Sequence, residues 1–370
     1  MSSSNLQLPI EAHANVTDLT PEEIAARTAA ARKALGSDGL LLVHHYQRGP
    51  VVRFADKTGD SFGLARYAAA SEGVRWVVFC GVHFMAETAD ILTGDDVTVL
   101  LPDRNAGCSM ADMADIDQVE ECWEQLAGIC AGRVVPVTYM NSSAAIKALT
   151  GAQGGVVCTS SNAKRALEWA FSQGETVLFL PDQHLGRNTA FFQLGIPLEQ
   201  MVLWDPFQPL GGNSPEAIRK ARVVLWKGHC SVHMNFRPQH VDEARERNPQ
   251  VRVIVHPECE FDVVKKADAV GSTDFIVKTI AASPPGTAWV VGTEHNLVGR
   301  LAETYPDKTI QTLSPFACQC ATMYRIDPVD LMRTLEGIPR GDLRWPIRVP
   351  AAVADPARLA LERMLALPPA

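Results

Sequence analysis

The sequence predicts an α/β fold of three small homologous domains, each a three-layer αβα unit built on a short parallel sheet. Three observations predict it. Apolar runs such as Leu40-Leu41-Leu42-Val43, Trp76-Val77-Val78-Phe79 and Val177-Leu178-Phe179-Leu180 are hydrophobic throughout, as strands covered on both faces are. Stretches of helical length separate them, which parallel strands need for their crossovers. The alternation also restarts twice, each round closing near a cysteine, at a period too long for a solenoid.

Taken in order, residues 1–18 are polar and slightly acidic and read as disordered or loosely attached. Thr20-Pro21-Glu22-Glu23 opens a helix, with Thr as N-cap, Pro in the first turn and Glu at the capping-box position. Gly36 ends it near Leu35. The apolar run from Gly39 then leads into His44-His45-Tyr46. A helix over about 61–71, a strand at 76–80, a helix around 85–92 and a strand at 97–101 follow. Pro102-Asp103 turns the chain toward Cys108, a lone thiol on a loop.

The second round has a strand from Val134 into Tyr139-Met140-Asn141, a helix at 143–149 and a second strand, Val156 to Asn162, that ends at a helix cap. Its Leu180-Pro181-Asp182 echoes Leu101-Pro102-Asp103. An irregular insertion near 188–222 precedes the strand Val223–Trp226 and Cys230. The third round starts at Val251, passes His256-Pro257-Glu258-Cys259 and Gly271-Ser272-Thr273, and reaches a strand at 289–291. It closes near Cys318-Gln319-Cys320. The expected organisation is an N-terminal extension and helix at 1–37, α/β domains at 38–128, 129–230 and 231–335, and a C-terminal segment at 336–370. Ligands bind outside the carboxyl ends of strands in open parallel sheets, so three such ends facing one axis would share a single pocket.

Composition narrows the function. The 370-residue chain is 46% hydrophobic and 21% charged, ordinary for soluble globular domains. A net charge of −8 without a Lys/Arg block argues against a nucleic-acid binder. No apolar run reaches the roughly 18 residues of a membrane span, and the N-terminus lacks the basic and apolar regions of a signal peptide. A cytoplasmic protein is expected. Its nine cysteines are then not a disulfide framework. Cys80 and Cys158 end apolar runs, and Cys122 and Cys130 fall in a helical pattern, so all four read as packing. Cys108, Cys230, Cys259, Cys318 and Cys320 remain. The trio Cys108, Cys230 and Cys320 suggests a [4Fe–4S] cluster with three protein ligands and one open iron, an available Lewis acid. Distant single thiols make a poor zinc knuckle.

His44, Tyr46, Tyr139, Asn141, His256 and Glu258 follow strands at matching places in the three rounds. Ser61, Ser160 and Ser272-Thr273 stand at helix starts, where they cap the helix or help its free N–H groups bind an anion.

With these residues assembled, the chain resembles the quinolinate synthase family, iron–sulfur enzymes of NAD biosynthesis. The likeness spans roughly 38–335. It rests on His44-His45-Tyr46-Gln47, Gly59-Asp60-Ser61, the run from Cys80 to Thr88, and Ala106-Gly107-Cys108-Ser109-Met110-Ala111-Asp112. Tyr139-Met140-Asn141, Thr159-Ser160-Ser161-Asn162-Ala163, Gly228-His229-Cys230-Ser231-Val232-His233, His256-Pro257-Glu258-Cys259, Gly271-Ser272-Thr273, Gly292-Thr293-Glu294 and Cys320-Ala321-Thr322-Met323 continue it.

The resemblance implies a pseudo-threefold arrangement around a central cavity, with one [4Fe–4S] cluster on Cys108, Cys230 and Cys320. It implies condensation of iminoaspartate with dihydroxyacetone phosphate to quinolinate, with loss of phosphate and two waters. The open iron would act as Lewis acid. It places His44, Tyr46, Ser61, Tyr139, Asn141, Ser160, His233, His256, Glu258, Ser272, Thr273 and Met323 around the substrates, with Tyr46, Tyr139, His256 and Glu258 as the catalytic group. Glu258 and His256, two residues apart on an extended segment, form the expected acid–base pair. An unstable iminoaspartate implies functional dependence on an aspartate oxidase or dehydrogenase. A monomer or homodimer is expected. The rivals are another open-iron hydro-lyase or reductase and a non-catalytic iron–sulfur sensor. Cys318, two residues before Cys320, leaves the third ligand the least certain of the three.

Overall fold

The structure, a computed structural model, describes residues 19–316 and 318–367; the expectation for 1–18 lies outside them. Fourteen strands among the described residues form three sheets. The first holds β1 (Gly39–His44), β2 (Lys57–Gly59), β3 (Trp76–Cys80) and β4 (Thr98–Leu100). The second holds β5 (Val134–Tyr139), β6 (Val156–Cys158), β7 (Thr176–Leu180), β8 (Met201–Trp204) and β9 (Val223–Trp226). The third holds β10 (Arg252–Val255), β11 (Ala269–Val270), β12 (Ala288–Gly292) and β13 (Thr309–Thr312). The short β14 (Pro346–Ile347) returns to the edge of the first sheet.

All pairings are parallel except β14 on β4. The central strands explain the apolar runs. Every residue of β1, β5 and β7 is buried, because each has a neighbour on both edges and helices over its faces. The expected α/β class with short parallel sheets is therefore present.

Helix Pro21–Leu35 carries the complete capping box between Thr20 and Glu23. Arg27 joins it to helix Pro328–Gly337 through two 2.7 Å bonds to Glu336. The insertion near 188–222 is more regular than its sequence suggests. It contains β8, which pairs with β9 and extends the second sheet at its edge. Three residues of Met201-Val202-Leu203-Trp204 are only half-buried, because an edge strand is covered less fully than a central one. Strands β2, β11 and β13 are too short or too polar to read.

The C-terminal segment ties two sheets together. While β14 joins the first, helix Ala351–Ala366 packs along helix Ala144–Ala152 of the second. Gly151 makes that approach possible, since a Cβ there would stand 1.8 Å from the Pro356 carbonyl oxygen. No helix among the described residues is long and apolar enough to cross a membrane.

Candidate active site

The carboxyl ends of β1, β5 and β10 deliver the polar residues to one cavity. His44, Tyr46, Ser61, Tyr139, Asn141, Ser160, His256, Glu258, Thr273 and Met323 line it, as do Cys108, Cys230 and Cys320. His233 and Ser272 are not on its wall. His233 is fully buried, with Nδ1 2.7 Å from Glu258 Oε2. Ser272 caps helix Thr273–Ala282 by accepting from the Phe275 amide at 3.3 Å.

The serines divide between two jobs. Ser61 is the first residue of its helix, but the cap is Asp60, which accepts from the Gly63 amide at 2.7 Å. Ser160 lies before Asn162, the cap position of helix Ala163–Gln173. Both hydroxyls are left to the cavity. Asp60 also accepts from Ser161 Oγ at 2.6 Å and so fastens the first sheet's helix to the second sheet's loop. Asp60, Thr159 and Thr322 line the cavity too. Each adjoins a residue the sequence singles out: Ser61, Ser160 and Met323.

Two histidine loops share one geometry. The amide of Tyr46 donates to His44 Nδ1 at 3.1 Å, and the amide of Glu258 donates to His256 Nδ1 at 3.4 Å. An Nδ1 that accepts leaves the ring proton on Nε2. Burial, the largest influence, pushes His44 well below its ordinary value, and His45, Arg300 and His256 add to the effect. Burial drives His256 down to about 3 against the pull of Glu258. Both rings are therefore neutral N–H donors.

Glu258 is a buried carboxylate with an opposite bias. Burial alone would raise it, but His256, His233 and a hydrogen bond from Tyr139 outweigh that and hold it at about 2. Tyr46 and Tyr139 are pushed well above the ordinary phenol value, by burial first and by the Glu258 charge second. They stay protonated. The Tyr46 hydroxyl lies 2.9 Å from Thr293 Oγ1, and Gln47 Nε2 donates to the Met323 carbonyl at 2.9 Å. The loop after β1 is thereby bound to elements that follow β12 and β13.

The thiols suit a shared metal group. Burial lifts Cys108 to about 12, and Cys320 adds to it. Burial raises Cys230 well above its ordinary value, followed by Glu258, Cys320 and Cys108. Three thiols near enough to repel as thiolates need a cationic centre to ionise together. Among the described residues they are not gathered within 4.8 Å of one another. A second donor set, Cys230 with His233 and Glu258, does fall within 4.8 Å, but there the histidine and carboxylate already pair with each other. Cys318 is 1% exposed, its Sγ toward the Phe316 carbonyl at 3.5 Å, and it is absent from the cavity wall.

Three buried groups behind the wall were not anticipated. Asp182 caps helix Gln183–Asn188, with the Leu185 amide at 2.6 Å, and also takes the Cys230 amide. Burial, then the Glu258 charge, raises it well above the carboxylate range. The repeated Leu-Pro-Asp was its only signal. Glu294 accepts from the Asn296 and Leu297 amides at 2.8 and 3.2 Å, and from Cys320 at 3.4 Å. Lys147 is fully buried in helix Ala144–Ala152, its Nζ donating to the Ser142 carbonyl and standing 5.4 Å from the Phe84 ring. Burial lowers it to about 8, with Glu87 and Cys108 opposing.

Comparison with known proteins agrees with this geometry. The family model described as "Quinolinate synthetase A protein" matches residues 27–366. The chain is 55% identical over 350 residues to the quinolinate synthase of Herpetosiphon aurantiacus, covering 94% of this chain and 93% of that one. It is 56% identical over 343 residues to that of Acidobacterium capsulatum, covering 92% and 91%. With that of Corynebacterium glutamicum it shares 53% over 371 residues, 98% and 94% of the two chains.

Proposed function

The chain belongs to the quinolinate synthase family, enzymes of NAD biosynthesis, and from that premise we propose that it condenses iminoaspartate with dihydroxyacetone phosphate to quinolinate, phosphate and two waters. The observation that carries the reading is the convergence of three thiols with His44, Tyr46, Tyr139, Asn141, His256 and Glu258 on one cavity. Cys108, Cys230 and Cys320 would hold a [4Fe–4S] cluster. When bound by three thiolates it supplies one open iron as a Lewis acid for a substrate oxygen.

The protein's own residues account for the rest. Two carboxylates and a phosphate must enter a chain of net charge −8, so local donors have to capture them. Ser61 and Thr273 open helices of nine and ten residues at the cavity, where free N–H groups and the positive dipole end favour anions. Ser160, Thr159, Asn141 and the Nε2–H of His44 add neutral donors, and Met323 closes the wall beside them.

Ring closure to the aromatic product removes protons from carbon and hands protons to departing oxygens. Glu258 rests as a carboxylate and is the acceptor, with Tyr139 and His233 steadying its charge. His256 rests neutral with its proton on Nε2 and hydrogen-bonds the departing oxygen, and the proton that Glu258 takes from carbon is the one handed on to that oxygen. Tyr46, protonated and tied to Thr293, moves a proton during tautomerisation. The reading also includes supply of iminoaspartate by an aspartate oxidase or dehydrogenase.

Anaerobic purification with iron and sulfide counts, followed by a quinolinate assay on the two substrates, tests the proposal. Four irons per chain with quinolinate formed are expected. Zinc without iron, or a loaded cluster with no quinolinate, would overturn it.

A further inference from the structure

Asn188 ends helix Gln183–Asn188, beside the second sheet, and is 2% exposed. Its Nδ2 donates to the carbonyls of Pro257 and Cys259, both at 2.8 Å. Those carbonyls flank Glu258. Only an N–H can serve two carbonyl oxygens, so the orientation of the amide is unambiguous. One side chain from the second sheet thus spends both amide hydrogens on either side of one carboxylate residue after β10. Pro257 has no N–H to anchor the loop. Its remaining ties are the Glu258 amide to His256 Nδ1 at 3.4 Å, the Cys259 amide to the His256 carbonyl at 3.0 Å and the Cys259 thiol toward the Gly292 carbonyl at 3.6 Å, and none of them comes from the second sheet.

We propose that Asn188 is a positioning residue that sets the place of the Glu258 carboxylate through its two flanking carbonyls. The proposal rests on the reading of Glu258 as the proton acceptor. Tyr139 and His233 hold the tip of the side chain, and Asn188 holds its base. Neither grip substitutes for the other, because a carboxylate on a shifted backbone loses the aim that proton transfer from carbon requires.

The test uses anaerobically reconstituted enzyme carrying Asn188→Asp or Asn188→Ser, each alone and combined with Glu258→Gln. Asn188→Asp sets an oxygen against both carbonyls, whereas Asn188→Ser keeps one donor and covers the case in which the aspartate variant does not fold. Iron and sulfide content equal to the parent is expected, with KM within about twofold and kcat lower by about 10- to 100-fold, less for serine. In the Glu258→Gln background the same changes are expected to alter residual kcat by less than about twofold, because the group they position is gone. Equal fold-losses in both backgrounds, unchanged kcat in the single variants, or loss of iron from both overturns the proposal. Full turnover by Glu258→Gln overturns the reading of Glu258 itself, and an inactive Glu258→Gln beside fully active Asn188 variants overturns the positioning alone.

Discussion

His233 holds its Nδ1 2.7 Å from Oε2 of Glu258, with both side chains shut off from solvent. His233 also stacks on His256 at 4.6 Å between ring centroids and 21° between planes. The carboxylate is therefore enclosed by two imidazoles and the Tyr139 phenol, and it stays charged in a place where burial alone would neutralise it.

Glu258→Gln retains the shape of the side chain and removes its charge. Quinolinate turnover is expected to fall at least about 100-fold, as for a lost general base. Iron and sulfide counts should be unchanged, because Glu258 is not among the three thiols. Steady-state kinetics on the reconstituted enzyme measures it, and full turnover would remove Glu258 from the acid–base role.

The two neighbouring thiols are separable. Cys320 lines the cavity, and Cys318 is buried away from it against the Phe316 carbonyl. After anaerobic reconstitution Cys320→Ala is expected to lack the cluster's visible absorbance, while Cys318→Ala retains it. The opposite pattern would exchange their assignments.

Lys147 makes stability depend on pH. Its folded-state value of about 8 lies below the 10.5 of the free side chain. Below about pH 8 both states are protonated, and burial of the ammonium costs the fold in full. Between the two values the folded state gives up the proton first, the unfolded chain binds more, and stability rises with pH. The gain is about 3 kcal/mol over that window. Urea unfolding of the wild type and Lys147→Met at pH 7.5 and 10.5 isolates it as the difference between the proteins. A constant difference would contradict it.

Gly151→Ala tests the docking of the last helix. A Cβ 1.8 Å from the Pro356 carbonyl oxygen cannot be relieved by a rotamer, because the obstacle is backbone. Overpacking of this kind costs about 1–3 kcal/mol. A lower urea midpoint is expected with cluster content and KM unchanged, since the contact lies outside the cavity. An unshifted midpoint would mean that the two helices separate freely.

What the sequence determined by itself was whatever is encoded over short distances. Apolar runs marked the central strands, Thr20 to Glu23 marked a capped helix, and the residues just past β1, β5 and β10 marked the chemistry, because strand ends are local features of a chain. The family was legible for a similar reason, since a series of short motifs in fixed order is specific without a fold. Tertiary structure decided what depends on proximity between distant segments. Tyr46 meets Thr293 across 247 positions, and Asn188 reaches Pro257 across 69; no periodicity reports either meeting. The charge state of Glu258, the upward shift of the Asp182 carboxyl and the exclusion of Cys318 from the cavity all follow from burial and from neighbours in space. A carboxylate takes its ionisation from its surroundings, and only the folded chain supplies them.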